Sequence, residues 1–81
     1  MGMLRVLSRR GDDQYEWNVS QVEAGDQEAE AAVREAERIF REERARGSTA
    51  IRVQPGEAPQ KIDEFDPHAK EIVMIPRVIG G

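Results

Sequence analysis

The residues of this 81-residue chain that could do chemistry are few, and most lie in its C-terminal third. The run EIVMIPRVIGG ends in Gly80-Gly81. Glycine loses the most conformational freedom on ordering and is a poor residue on which to end a strand. A frayed terminus is the plain explanation, but glycine is only about 7% of an average chain, so a terminal pair is uncommon by chance. His68, the sole histidine, has Asp63, Glu64 and Asp66 near it in sequence, which raises the question of a metal site. Adjacent loop residues seldom converge on an ion without a rigid scaffold, and a solvated turn explains them better. Asp12-Asp13 and the many glutamates of the central segment show no pairing that would set up general acid–base work. No glycine-rich loop suited to a phosphate occurs within the chain. With no cysteine there is neither a disulfide framework nor a thiolate metal site.

Composition narrows the remaining classes. A net charge of -4 argues against a phosphate-binding surface, and so against nucleic acid as the main partner. No apolar run approaches the roughly 20 residues that cross a bilayer, and MGMLRVL is too short and polar for a signal peptide. No membrane partner and a cytoplasmic location are the expectation. Hydrophobic residues make up 38% of the chain and charged residues 35%, which allows one domain with a modest, regular core. Basic residues are lopsided, ten arginines against Lys61 and Lys70. Genomic base composition or a warm habitat accounts for this; so does a chain that becomes attached to lysines and avoids offering its own.

The elements that must position the tail can be read from periodicity. Met3 to Ser8 alternates Leu4 and Val6 against Met3, Arg5 and Leu7, a short strand with a buried side. Arg9 to Asp13 is charged and contains Gly11, a turn between β-patterned runs. Tyr15, Trp17 and Val19 then alternate with polar residues in a half-buried strand that completes a hairpin. Aromatics alternating on a strand read as core, with an exposed docking patch as the alternative. After a connection from Ser20 to Gly25, Asp26 can cap a helix over Gln27 to Arg46. Ala29, Ala32, Val33, Ala36, Ile39 and Phe40 form its apolar stripe, and Glu30–Arg34, Glu37–Arg41 and Glu42–Arg46 are acid-first i,i+4 pairs. Gly47 closes it. About 30 Å of helix must lie across something broad, and a sheet is the natural partner.

Ala50 to Gln54 predicts a third strand with Ile51 and Val53 inward. Lys61-Ile62-Asp63 predicts a brief fourth, after the loop at Pro55 to Pro59. Glu71 to Ile75 is the most continuously apolar run, the mark of a central strand covered on both faces. Pro76 cannot donate to a ladder, so the sheet should release the chain there. This order of elements is an α+β fold, a β-grasp: a mixed sheet of four or five strands with one long helix packed across it. The division expected is a domain over 1–76 and a flexible tail over 77–81.

The β-grasp order together with Pro76-x-Val78-x-Gly80-Gly81 resembles the ubiquitin-like proteins that finish on Gly-Gly. The tail is most similar to the sulfur-carrier branch, which includes the small subunit of molybdopterin synthase and the thiazole-pathway sulfur carrier. Phe65 fits the same resemblance more loosely, and Arg77 stands where that branch often has proline. The resemblance implies a carrier rather than an enzyme, with no bound cofactor. Gly81 would be the carrier or conjugation site, its carboxylate adenylated by a ubiquitin-activating-type adenylyltransferase that uses ATP. Pro76, Arg77, Val78, Ile79 and Gly80 would be recognised by that partner. Further implied partners are a sulfurtransferase, a synthase large subunit or a deubiquitinase-like metalloprotease. Delivery of sulfur from a thiocarboxylate is the first expectation. Conjugation to lysines of other proteins is the second, and a β-grasp binding module with incidental glycines the third.

Overall fold

Strands β1 (Gly2–Ser8) and β2 (Gly11–Trp17) form the expected hairpin in the computed structural model, which describes residues 1–8 and 10–77. Its turn is tighter than the sequence suggests. Ser8 pairs with Gly11, whose φ of 125° suits a residue without a Cβ. Asp12 and Asp13 therefore belong to the ladder, opposite Leu7 and Val6, rather than to a turn. The strand also ends sooner: Val19 lies not in β2 but at the start of a short helix, α1 (Val19–Glu23). Asn18 caps it, its side-chain oxygen accepting from the Gln21 N–H at 3.1 Å. From α1, Val19 and Val22 still reach the margin of the core.

Helix α2 (Gln27–Ala45) starts where expected, with Asp26 Oδ1 accepting from the Ala29 N–H at 3.0 Å. It stops in a Schellman arrangement: Gly47 N–H donates to Arg44 O, and Ser48 N–H to Glu43 O, at 3.0 Å each. The φ of 96° at Gly47 makes that reversal possible. On the solvated face Arg41 meets Glu37 at 3.0 Å as the spacing suggests. Glu42 pairs instead with Arg38 at 2.7 Å, and Arg46 with Glu43 at 3.1 Å. Arg38 also bridges Glu35, and its hydrogen bond holds that carboxyl below the ordinary value.

Strands β3 (Thr49–Val53), β4 (Gln60–Ile62) and β5 (Glu71–Ile75) complete a five-stranded sheet of order β2-β1-β5-β3-β4. β1 and β5 run parallel, and every other neighbouring pair is antiparallel. The last strand is thus central, and with α2 across the sheet the architecture is a β-grasp. Leu4, Val6, Ala50, Ile72 and Met74 from the sheet pack with Ala36 and Phe40 of α2 in one cluster.

Two expectations about the sheet are corrected. The register pairs Ala50 with Met74 and Ile51 with Val73. Met74 and Ala50 are fully buried, and side chains alternate across a strand. Ile51 and Val53 therefore lie on the face away from α2, and small Ala50 is what the helix packs over. Nor is β5 covered on both faces: Ile75 is 41% exposed, and no element among the described residues lies over the side that carries Val73.

Trp17 is core, 2% exposed, with its indole N–H donating to Pro67 O at 2.8 Å. Its ring lies 5.4 Å from that of Phe65, which meets Phe40 edge-on at 5.7 Å. Gly2 sits directly under the indole. A Cβ there would overlap Cε2 and Nε1 of Trp17, and a buried indole held by a hydrogen bond has little room to yield. Gly2→Ala is therefore expected to destabilise the domain by about 1–3 kcal/mol, the usual cost of overpacking. Urea denaturation followed by tryptophan fluorescence measures it. An unchanged midpoint would mean that the indole relocates freely.

Candidate functional site

The exit of the chain from the sheet defines the site. β5 ends at Ile75, and Pro76 and Arg77 follow as exposed residues. Having no N–H, Pro76 cannot continue the ladder. Val78, Ile79, Gly80 and Gly81 lie outside the described residues, and with them the expected flexible tail; Pro76 and Arg77 are the site residues that can be located.

Arg77 lies against the C-terminal turn of α2. A Cβ on Gly47 would come within 3.1 Å of Arg77 Cδ and 3.6 Å of its Cβ, so the glycine that ends the helix also makes room for the first residue of the tail. The turn beneath is well fixed. Ser48, 2% exposed, donates through Oγ to Glu43 Oε1 at 3.1 Å. Arg44 donates through Nη1 to Ser48 O at 2.9 Å and through Nη2 to Asp63 Oδ1 at 3.1 Å. A groove of about 470 Å³ opens at this root, with Leu7, Asp13, Glu43 and Arg46 beside Pro76 and Arg77. Its charges are of both signs, suited to hydrogen bonding with a partner surface rather than to holding an ion.

The histidine segment remains a solvated turn. Asp66 Oδ2 accepts from Arg52 at 2.9 Å, and its Oδ1 from the His68 backbone N–H at 2.9 Å. Asp63 is engaged by Arg44, and His68 Nδ1 lies 3.3 Å from Glu23 Oε1. These carboxylates are committed to structural pairs, and no group of three or more metal-ligating side chains converges among the described residues. Arg52 also donates to Gln60, its cross-strand partner in β4, so that one guanidinium joins the sheet to Asp66 in the loop after β4. Phe65 is held there by the aromatic contacts already described.

One surface was missed from the sequence. The sheet face opposite α2 carries Met3, Leu7, Ile51, Val53, Val73 and Ile75 on three adjacent strands. The signal was present in β3, where apolar residues occupy both alternations, but periodicity alone does not say which set the helix covers. Among the described residues no helix is long and apolar enough to cross a membrane. No family model matches the chain, and neither does any curated protein or solved structure.

Proposed function

We propose that the protein is a ubiquitin-like carrier whose C-terminal glycine is activated by a partner and then loaded with sulfur. What supports it most is a combination: a β-grasp in which the central strand is the last one, a proline immediately after it, and Pro76-x-Val78-x-Gly80-Gly81 beyond. A free carboxylate is a poor electrophile. A Gly81 carboxylate oxygen attacks the α-phosphorus of ATP in the partner's site, pyrophosphate leaves, and the acyl adenylate so formed has AMP as leaving group. Hydrosulfide supplied by a second partner displaces AMP, and loss of its proton leaves a thiocarboxylate on Gly81. The chain contributes the handle: residues without Cβ enter a narrow nucleotide site, while the folded body supplies affinity.

Conjugation to a lysine of another protein begins with the same adenylate and stays open as the second outcome. It draws on the scarcity of lysine, since only Lys61 and Lys70 would compete in cis. Intact mass after incubation with ATP, a sulfur donor and an activating enzyme from the same genome tests both. The carrier gains one AMP, then exchanges one oxygen for one sulfur; the modifier appears joined to a target lysine. An unchanged mass with every activating enzyme of that genome would leave a β-grasp binding module.

A further inference from the structure

The open face of the sheet carries its side chains in an order that the strand registers define. Glu16 lies opposite Met3, and Lys61 opposite Ile51, so both belong to this face. They stand on the two outer strands, β2 and β4, with the apolar residues of β1, β5 and β3 between them. Both are exposed, and neither enters an ion pair formed among the described residues. The charges nearer the middle are matched internally: Arg5 meets Asp12 at 3.1 Å and Glu71 at 3.5 Å. What remains is an apolar band with an available carboxylate along one margin and an available ammonium along the other.

We propose that this face packs against the same face of a second copy, about a two-fold axis that runs along β5. A contiguous exposed apolar patch marks an interaction site, and a two-fold contact sets one surface against itself. Facing sheets can be related by an axis along their strands or across them, and the charges choose between the two. An axis across the strands lays β2 over β2, acid against acid. An axis along β5 lays β2 over the other copy's β4 and β1 over its β3, so each Glu16 meets a Lys61. The two are offset by two residues, about 7 Å along the strands, which the lysine side chain and the roughly 30° angle between packed sheets take up. Val73 and Ile75 of the two copies meet at the axis. Met3 packs over the other copy's Val53, and the stem of Arg5 over its Ile51. Glu71 comes close to its own counterpart, but each is held by an Arg5. The footprint, about 20 by 17 Å per copy at ordinary strand spacings, is smaller than a standard interface. The dimer is therefore weak, with a Kd on the order of 0.1–1 mM. It does not depend on the carrier proposal.

Sedimentation equilibrium of the full-length protein up to about 1 mM tests this. The apparent mass of the native protein should rise with concentration toward that of two copies and no further. Glu16→Lys or Lys61→Glu alone should weaken association about tenfold, because each turns both attractive pairs at the rim into repulsive ones. The two changes together in one chain restore the complementarity and should bring association back to within about twofold of native. Ile75→Asp, at a position 41% exposed, sets a charge beside the axis in both copies and should leave the protein monomeric. Thermal melting of every variant near the native midpoint shows that the fold is kept, and the charge series alters only exposed side chains. A native protein that stays monomeric throughout overturns the proposal. So does association unchanged by Ile75→Asp, or a double charge exchange that binds no better than the single changes. None of these outcomes touches the mass measurement on Gly81, so the two proposals stand or fall separately.

Discussion

Gly80→Val is expected to abolish adenylation of the chain, lowering ATP–pyrophosphate exchange with the cognate activating enzyme by at least about 100-fold, the scale on which small misplacements act. On the proposed carrier reading, the carboxylate reaches the α-phosphate through a channel that admits backbone and little else. A valine there adds a branched side chain with a stiff χ1 and removes the backbone angles that only glycine takes easily. Ordering each glycine in that channel already costs about 1–2 kcal/mol, so little affinity is in reserve to absorb a clash. Gly81→Ala should impair exchange less severely. One residue added after Gly81 should stop it, because the carboxylate then lies past the point of attack. All three changes fall beyond Ile75, where β5 ends, so the melting temperature should not move. Equal exchange by native and Gly80→Val protein would remove the carrier and the modifier together.

Phe40→Ala is expected to cost about 3–5 kcal/mol, a large share of the roughly 5–15 kcal/mol that stabilises a typical domain. Phe40 is 2% exposed and belongs to the central cluster. Its loss reaches further than its own cavity. Phe65 rests edge-on against it and in turn supports Trp17, so one ring joins the helix, the loop before β5 and the edge strand β2. Urea denaturation should show the midpoint falling sharply, with the tryptophan signal changing alongside the helical one. A loss below about 1 kcal/mol would mean that Phe65 refills the space.

The parts of this fold that were legible in the sequence are those with a strong local signal. α2 declared both ends, through the cap at Asp26 and the reversal at Gly47, and its stripe named Ala36 and Phe40 as core. β5 declared its central position by being apolar at nearly every residue. What escaped was set by partners distant in sequence. Ile51 and Val53 look like the inward residues of β3, because larger apolar side chains usually are. The inward position belongs instead to Ala50, because the register with β5 pairs it with fully buried Met74 and so fixes the parity. α1 escaped because five residues carry too little periodicity to separate a helical turn from a connection, although Asn18 followed by a helical spacing of Val19 and Val22 was a usable sign. At the candidate site, Pro76 and Arg77 were legible as the point of exit. The seat of Arg77 on Gly47 was not, because it joins the end of a helix to the end of the last strand, some thirty residues apart.

The placement of β5 also governs when this protein comes into being on the ribosome. The hairpin of β1 and β2, then α2, then β3 and β4 are all synthesised before it, yet β5 lies between β1 and β3. Until residues 71–75 emerge, the nascent chain holds two half-sheets with unpaired inner edges and no continuous surface beneath the helix. Such edges invite pairing with other chains, and contacts this far apart in sequence form slowly. A stalled or prematurely terminated chain therefore ends as an open, aggregation-prone intermediate that quality control can recognise. The sheet becomes continuous only when β5 takes its place between β1 and β3, so closure of the fold waits for residues 71–75.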